Sequence, residues 1–199
     1  RVPSHALARA LIRAAGVPIA APSANRFTEV SPTTAEHVRQ SLGERVALII
    51  DGGPTQVGIE STVLSLAEGN AVLLRPGMVS RADLESVIGP VAALEHAGAG
   101  AHAAPGLHRK HYSPRTPLVL LDADAGVPDG RGAVLWITKP LPTATAVQMP
   151  SNPSDYAAAL YATLRQVDAQ GFDWIAVERP PREASWDAIH DRLRRAAAE

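Results

Sequence analysis

The hydrophobic pattern of this 199-residue chain breaks once, and the break limits what it can fold into. Up to Gly89, apolar residues recur at helical or strand spacing. From Gly89 to Thr116 no apolar period survives beyond Leu94, and Ala, Gly and His dominate. After Pro117 the pattern resumes. A stretch of that length without an apolar face cannot bury itself, so it reads as a linker between two folded units. The expected organisation is a first unit at 1–89, a linker at 90–116 and a second unit at 117–199. The linker carries a dense polar cluster, PGLHRKHYSPR, from Pro105 to Arg115. Long connections with such clusters are often functional.

Each unit alternates helices and strands. In the first, Ser4 is placed to cap a helix bearing Leu7, Leu11 and Ile12 that stops at Gly16. Val17 to Ala21 and Val46 to Ile50 read as buried strands. Between them, Thr33 and Glu36 have capping-box spacing ahead of Val38 and Leu42. Ser61 to Leu66 and Ala71 to Leu74 flank Glu68-Gly69-Asn70 as a hairpin. Ser80 opens a short helix that ends at Gly89. In the second unit, strands are expected at Leu118–Leu121, Ala133–Ile137 and Trp174–Val177. Asn152-Pro153 starts a helix with Tyr156, Ala157, Leu160, Leu164 and Val167 on one face. Ser185 is placed to cap a last helix, with Ile189 and Leu193 inside and Arg192, Arg194 and Arg195 outside. This order predicts an α/β protein whose second unit is a small parallel layer.

Composition removes several function classes. The formal net charge is −1, so the whole chain exerts no pull on nucleic acid or acidic lipid. It has no cysteine, which excludes disulfides, thiolate metal sites and a thiol nucleophile. No apolar run is long enough to span a bilayer, so a cytoplasmic protein is expected. No His, Asp and Glu spacing suggests a metal cage, and no Ser-His-Asp set is readable.

Four stretches could carry chemistry. PIAAPSANRFTEVSPTTAEH, Pro18 to His37, places small hydroxyl and amide residues between an apolar run and a helix start. Such a loop can turn backbone N–H groups inward, and Ser23 and Ser31 add hydroxyls, which together suit an anion. Ordinary turn and capping work by Asn25, Ser31 and Thr33 accounts for the same residues. In GIESTVLSL, Gly58 to Leu66, strand alternation sends Glu60 and Ser61 to opposite faces. Arg75 ends an apolar run before Pro76-Gly77, a place from which an arginine can fork onto a carboxylate or phosphate. Arg1 stands in a similar position before Pro3. In the linker, Arg109, Lys110 and His111 form a basic run, and Tyr112 suits stacking over a ligand.

Taken in order, RVPSHALARAL, PIAAPSAN with SPTTAEHV, IIDGG with VGIESTVLSL, LLRPG and APGLHRKHYSPRTPL resemble the later part of the threonylcarbamoyl-AMP synthases. The resemblance is to the longer, YrdC-domain type with an added carboxyl-terminal domain, and the closing AIHDRLRRAAAE is similar to the end of that type. It implies a partial twisted α/β domain of YrdC type, a linker crossing its concave face, and a Rossmann-like parallel α/β domain. It also implies a reaction in which L-threonine, bicarbonate and ATP give threonylcarbamoyl-AMP and pyrophosphate, with Mg2+ accompanying ATP. The product would serve a tRNA-modifying transferase complex, with a weak tRNA contact of its own. By position, Arg1, Ala21 and Ser61 would meet L-threonine. Ser23, Ser31, Arg75 and Tyr112 would meet ATP, and Asn25 would shape the loop. No covalent nucleophile is implied, so the protein's work would be positioning and charge stabilisation.

The chain departs from the family pattern in three ways. Segments of Pro-Thr-Glu-Thr-Tyr-Gly-Leu and Lys-x-Arg-Pro type are absent, so the chain is expected to be a fragment without synthase activity by itself. Arg26-Phe27-Thr28-Glu29 replaces a commoner Leu-Ser-Gly-Arg, placing Thr28 where glycine is usual. His108 stands where many members have Lys. The competing reading is an RNA-binding module of YrdC type, in which the HRKHY run touches phosphates. Carbamoyl-adenylate chemistry of the hydrogenase-maturation kind ranks below both.

Overall fold

The second unit is built on a continuous parallel sheet. The structure, a computed structural model, describes residues 2–93, 111–122, 125–140 and 145–198. Four strands, β4 (Leu118–Leu121), β5 (Gly132–Trp136), β6 (Thr145–Gln148) and β7 (Trp174–Glu178), lie in the order β4-β7-β5-β6, all parallel. The central runs, GAVLW and WIAVE, are apolar at nearly every position because both sheet faces are covered. The edge strand β6, TAVQ, alternates half-buried and exposed. Helix α4 (Pro153–Asp168) starts where expected: the Asn152 side chain accepts from Asp155 N–H, and Pro153 occupies the first turn. It buries Tyr156, Ala157, Leu160, Tyr161, Leu164 and Val167 against the sheet. Helix α5 (Asp187–Ala196) closes the unit.

The first unit is thinner. Strands β1 (Val63–Ser65) and β2 (Val72–Arg75) pair antiparallel, as the expected hairpin requires, and β3 (Ala92–Ala93) adds in parallel to β2. Helices α1 (Ala6–Ala15), α2 (Ala35–Leu42) and α3 (Arg81–Ile88) lie around them. Ser80 caps α3 in a full capping box with Asp83.

Several expectations fail for physical reasons. Residues 17–21 and 46–50 form no strand, because no described strand lies beside them to complete a ladder; Leu48 is 76% exposed. Helix α1 buries no residue. Its first turn has His5, not Ser4, at the cap position, without a capping side chain. The α2 cap is Thr34, whose hydroxyl accepts from His37 N–H, and Glu36 turns to Arg39 and Gln40 instead of closing a box. Ser185 sits inside a single 3-10 turn ahead of α5, and α5 has no side-chain cap.

Both flanks of the expected linker are fastened down. Val91 is buried beside β3, and Tyr112, Ser113 and Thr116 are buried as well. Residues 94–110, with Arg109 and Lys110, lie outside the described residues, as does Arg1. One apolar core joins the units: Val30, Ile59 and Tyr112 pack with Tyr156, Leu160 and Ile189. Gly58 permits this approach. It has a φ of 80°, and a methyl group there would lie 2.3 Å from the Ala157 carbonyl oxygen on α4.

Candidate active site

An open cleft of 890 Å³ lies between the start of α1, the loop before α2 and the 50–60 segment. Ser23, Ser31 and Glu60 line it on one side, and Leu7, Leu11 and Ile50 give it an apolar wall. Gly52 and Gly53 keep part of the rim to bare backbone. A side chain at Gly52 would collide with the His5 ring, which itself bonds the Gly52 carbonyl at 3.1 Å.

The loop that carries Ser23 and Ser31 is held from behind. Asn25 Nδ2 donates to the carbonyls of Arg26 and Glu29, both at 2.9 Å, so Asn25 ties the loop to itself. Ala24 and Thr28 take positive φ, 56° and 70°. The Thr28 carbonyl accepts from Ser113 N–H at 2.8 Å, and Glu29 bridges Ser113 in parallel. The last part of the expected linker therefore clasps the loop. Arg165 of α4 adds a second clasp, donating from Nε to the Ser31 carbonyl and from its terminal nitrogen to the Val30 carbonyl and the Ser41 hydroxyl.

Behind Ser31 lies a buried charged cluster. Ser31 Oγ donates to Glu60 Oε1 at 2.6 Å. Glu60 Oε2 accepts from Tyr161 Oη at 2.8 Å and from Arg192 Nε at 2.9 Å. Arg192 is fully buried and also donates to the carbonyls of Glu60 and Pro76 and to Asp191. Burial pushes the Glu60 carboxyl up, but the Arg192 charge and the three side-chain hydrogen bonds outweigh it and hold it below its ordinary value. Burial likewise disfavours the charge on Arg192, yet the oxygens around it raise its pKa. The Arg192 guanidinium lies 5.2 Å from the centre of the Tyr112 ring, and that ring stacks on Tyr161 at 5.7 Å.

The expected ligand-binding residues divide between these places. Ser23 and Ser31 face the cleft. Ser61, Arg75 and Tyr112 meet one another deeper: Arg75 Nε donates to the Ser61 carbonyl at 3.1 Å, and a terminal nitrogen lies 3.5 Å from Tyr112 Oη. Arg75 is buried, not a solvated surface arginine. Ala21 is exposed and does not line the cleft. The residue pattern gives no role to Tyr161, sets Arg192 outward and offers Glu60 only as a strand residue on the face opposite Ser61. Arg192 carried a usable signal. It lies between Ile189 and Ala196 beside Leu193, inside the apolar stripe of α5, so the expectation that it faces outward is corrected. Arg195 is also turned inward, donating to Asp191, and of the three arginines only Arg194 is exposed.

Residues 79–198 match the family described as the carboxyl-terminal domain of threonylcarbamoyl-AMP synthase. Residues 1–77 match the Sua5, YciO and YrdC family, described as telomere recombination. The chain belongs to the threonylcarbamoyl-AMP synthase family. The threonylcarbamoyl-AMP synthase of Bacillus subtilis is 39% identical over 99% of this chain and 62% of its own length. That of Pyrococcus abyssi is 30% identical over 99% of this chain and 63% of its own length. The chain thus spans about three fifths of the curated threonylcarbamoyl-AMP synthases it matches. The crystal structure of P. abyssi Sua5 complexed with L-threonine superimposes with a TM-score of 0.87 at 30% identity, covering 99% of this chain and 63% of that one. The fold is the mixed α/β arrangement of that structure, parallel sheet included.

Among the described residues, no group of three or more His, Asp or Glu side chains could hold a metal ion. No described helix is long and apolar enough to cross a membrane.

Proposed function

We propose that the intact protein joins L-threonine, bicarbonate and ATP into threonylcarbamoyl-AMP and pyrophosphate, in the cytoplasm, for threonylcarbamoyl modification of tRNA. The observation that carries this reading is the likeness over 99% of the chain to a relative whose structure holds L-threonine. It is supported by the contacts among Ser61, Arg75 and Tyr112, which reach the cleft-lining Glu60 through Arg192.

In this reading threonine and bicarbonate condense to the N-carboxylate with loss of water. A carboxylate oxygen then attacks the α-phosphorus of ATP, and the bond from that phosphorus to the β-phosphate oxygen breaks to release pyrophosphate. No protein atom forms a covalent bond, so the chain contributes alignment and charge. Arg75 supplies a guanidinium for the phosphates, oriented by its bond to the Ser61 carbonyl. Tyr112, packed between Arg192 and Tyr161, braces the charged cluster behind Ser31. Ser23 and Ser31 present hydroxyls to the nucleotide; the threonine roles of Arg1 and Ala21 rest on the family resemblance alone. Mg2+ would arrive on the ATP phosphates and neutralise charge there; Glu60, the carboxylate nearest the cleft, is already engaged by three partners. A transferase complex that modifies tRNA would consume the product, and any direct tRNA contact would fall on Arg109 and Lys110.

Incubation of the intact protein with the three substrates, followed by mass spectrometry, should show threonylcarbamoyl-AMP and equimolar pyrophosphate. Pyrophosphate release that needs neither threonine nor bicarbonate would overturn the proposal. The same assay on residues 1–199 alone tests the expectation that the remaining length of the relatives is required for turnover.

A further inference from the structure

The second unit supplies no expected substrate contact, yet two of its helices reach the wall of the cleft. Tyr161 of α4 and Arg192 of α5 end on the same oxygen, Glu60 Oε2, and the other oxygen of that carboxylate takes the Ser31 proton. We propose that Tyr161 and Arg192 are positioning residues for the ATP site: by holding Glu60 they fix the Ser31 hydroxyl so that it offers lone pairs, not a hydrogen, to the cleft. The inference rests on the synthase reading above.

The argument is one of hydrogen-bond inventory. A serine hydroxyl has one hydrogen to give and two lone pairs to receive. An ionised carboxylate can only accept. Glu60 is ionised: the buried Arg192 guanidinium lies 2.9 Å away, and Arg192 Nε and Tyr161 Oη both donate to the same carboxylate oxygen. The 2.6 Å contact therefore consumes the only Ser31 hydrogen. What remains toward the cleft suits a donor, such as a ribose hydroxyl or the adenine amino group, and repels a phosphate oxygen. Ser31 is then no part of an anion cradle; it belongs to the nucleoside end of ATP. Phosphate recognition falls to Arg75, which donates to the Ser61 carbonyl.

Geometry makes the two helices necessary. Glu60 is partly open to the cleft, and its bond to Ser31 alone would not hold one rotamer. Arg192 bonds both its side chain and its carbonyl, and also the Pro76 carbonyl, so strand entry and carboxylate move as one. Tyr161 donates from the opposite helix and is itself fully buried.

The test is a steady-state analysis of the intact protein. Tyr161→Phe keeps the ring stacked on Tyr112 and removes one hydrogen bond from Glu60. It should raise the KM for ATP about fivefold, the worth of one hydrogen bond, with kcat changed less than about twofold and the KM for L-threonine unmoved. In a Ser31→Ala background the same change should have little further effect, because the hydroxyl it positions is gone. Glu60→Gln supplies a neighbour that can donate, which frees the Ser31 hydrogen to point at the cleft. The KM for ATP should then rise, whereas a serine serving phosphate would bind ATP more tightly. Multiplicative effects of Tyr161→Phe and Ser31→Ala, an effect confined to L-threonine, or a lowered KM in Glu60→Gln would each overturn the proposal. If wild type makes no threonylcarbamoyl-AMP at all, it is the synthase reading that falls.

Discussion

Glu60 shows how one buried carboxylate can tie chemistry to stability. Its folded-state pKa lies below the ordinary 4.5, with Arg192 the main cause that overcomes burial. A depressed acid stabilises the fold fully above its unfolded value and loses that contribution as the pH falls through the folded value. Wild type and Glu60→Gln should therefore differ most above pH 4.5, by about 2 kcal/mol, since the glutamine leaves buried Arg192 with Asp191 but without its charged hydrogen bond to Glu60. Urea titrations between pH 7 and 3 should show the gap closing on the acid side. A gap that stayed constant with pH would mean that Glu60 is not held ionised. Thr28 is a second single-residue case. A β-branched side chain at φ 70° is strained, and the backbone bond it makes, from its carbonyl to Ser113 N–H, needs no side chain. Thr28→Gly should raise stability by about 1 kcal/mol after allowing for glycine's freedom in the unfolded chain. The readout is a higher urea midpoint with an unchanged slope. At this scale the sequence showed hydroxyls and arginines but not their partners. Glu60 and Arg192 are 132 positions apart, and only the packing of α5 on the first unit brings them to 2.9 Å.

Elements were legible where they carry their own cover. Helix α4 announces its cap, its proline and its apolar stripe, and it forms where those signals place it. The β1–β2 hairpin pairs through its own turn. Residues 17–21 and 46–50 look just as strand-like by composition, but strands are completed by neighbours, and no described neighbour reaches them. Strand β6 escaped notice for the opposite reason: TAVQ is a weak edge segment whose partner β5 defines it. The contact of α4 with the 58–60 turn is the element on which the site depends. Gly58→Ala adds a methyl group 2.3 Å from the Ala157 carbonyl oxygen and 2.5 Å from Ala158 Cα, at a positive φ. Backbone atoms cannot yield as a flexible side chain would. The substitution should cost about 3 kcal/mol and push Glu60 away from Tyr161. A fall in melting temperature together with a raised KM for ATP is the expected pair of results; loss of stability alone would separate the turn from the site.

At the scale of the molecule, burial is uneven in a way that bears on how the cleft works. The second unit is packed by two apolar clusters, while Leu7, Leu11, Val17, Ile19, Leu48, Ile50 and Val57 of the first are each more than 40% exposed. Leu7, Leu11, Ile50 and Val57 line the same cleft, so among the described residues its wall is an apolar face left open. Apolar area of this kind costs about 25 cal/mol for every Å² left in water, and a patch of several such side chains attracts any apolar probe. Residues 1–199 expressed alone should bind an environment-sensitive hydrophobic dye in the folded state. The paired change Leu7→Glu with Leu11→Lys should cut the fluorescence at least about twofold without lowering the melting temperature, because α1 buries nothing that the change would disturb. In the intact protein the same pair should behave differently if the wall is covered there. Dye binding would be low from the start, and the charged pair would destabilise by several kcal/mol, as buried charges without partners do. Equal dye binding by both forms would mean that the wall stays open to solvent, and the apolar residues would then belong to the cleft's own ligand surface.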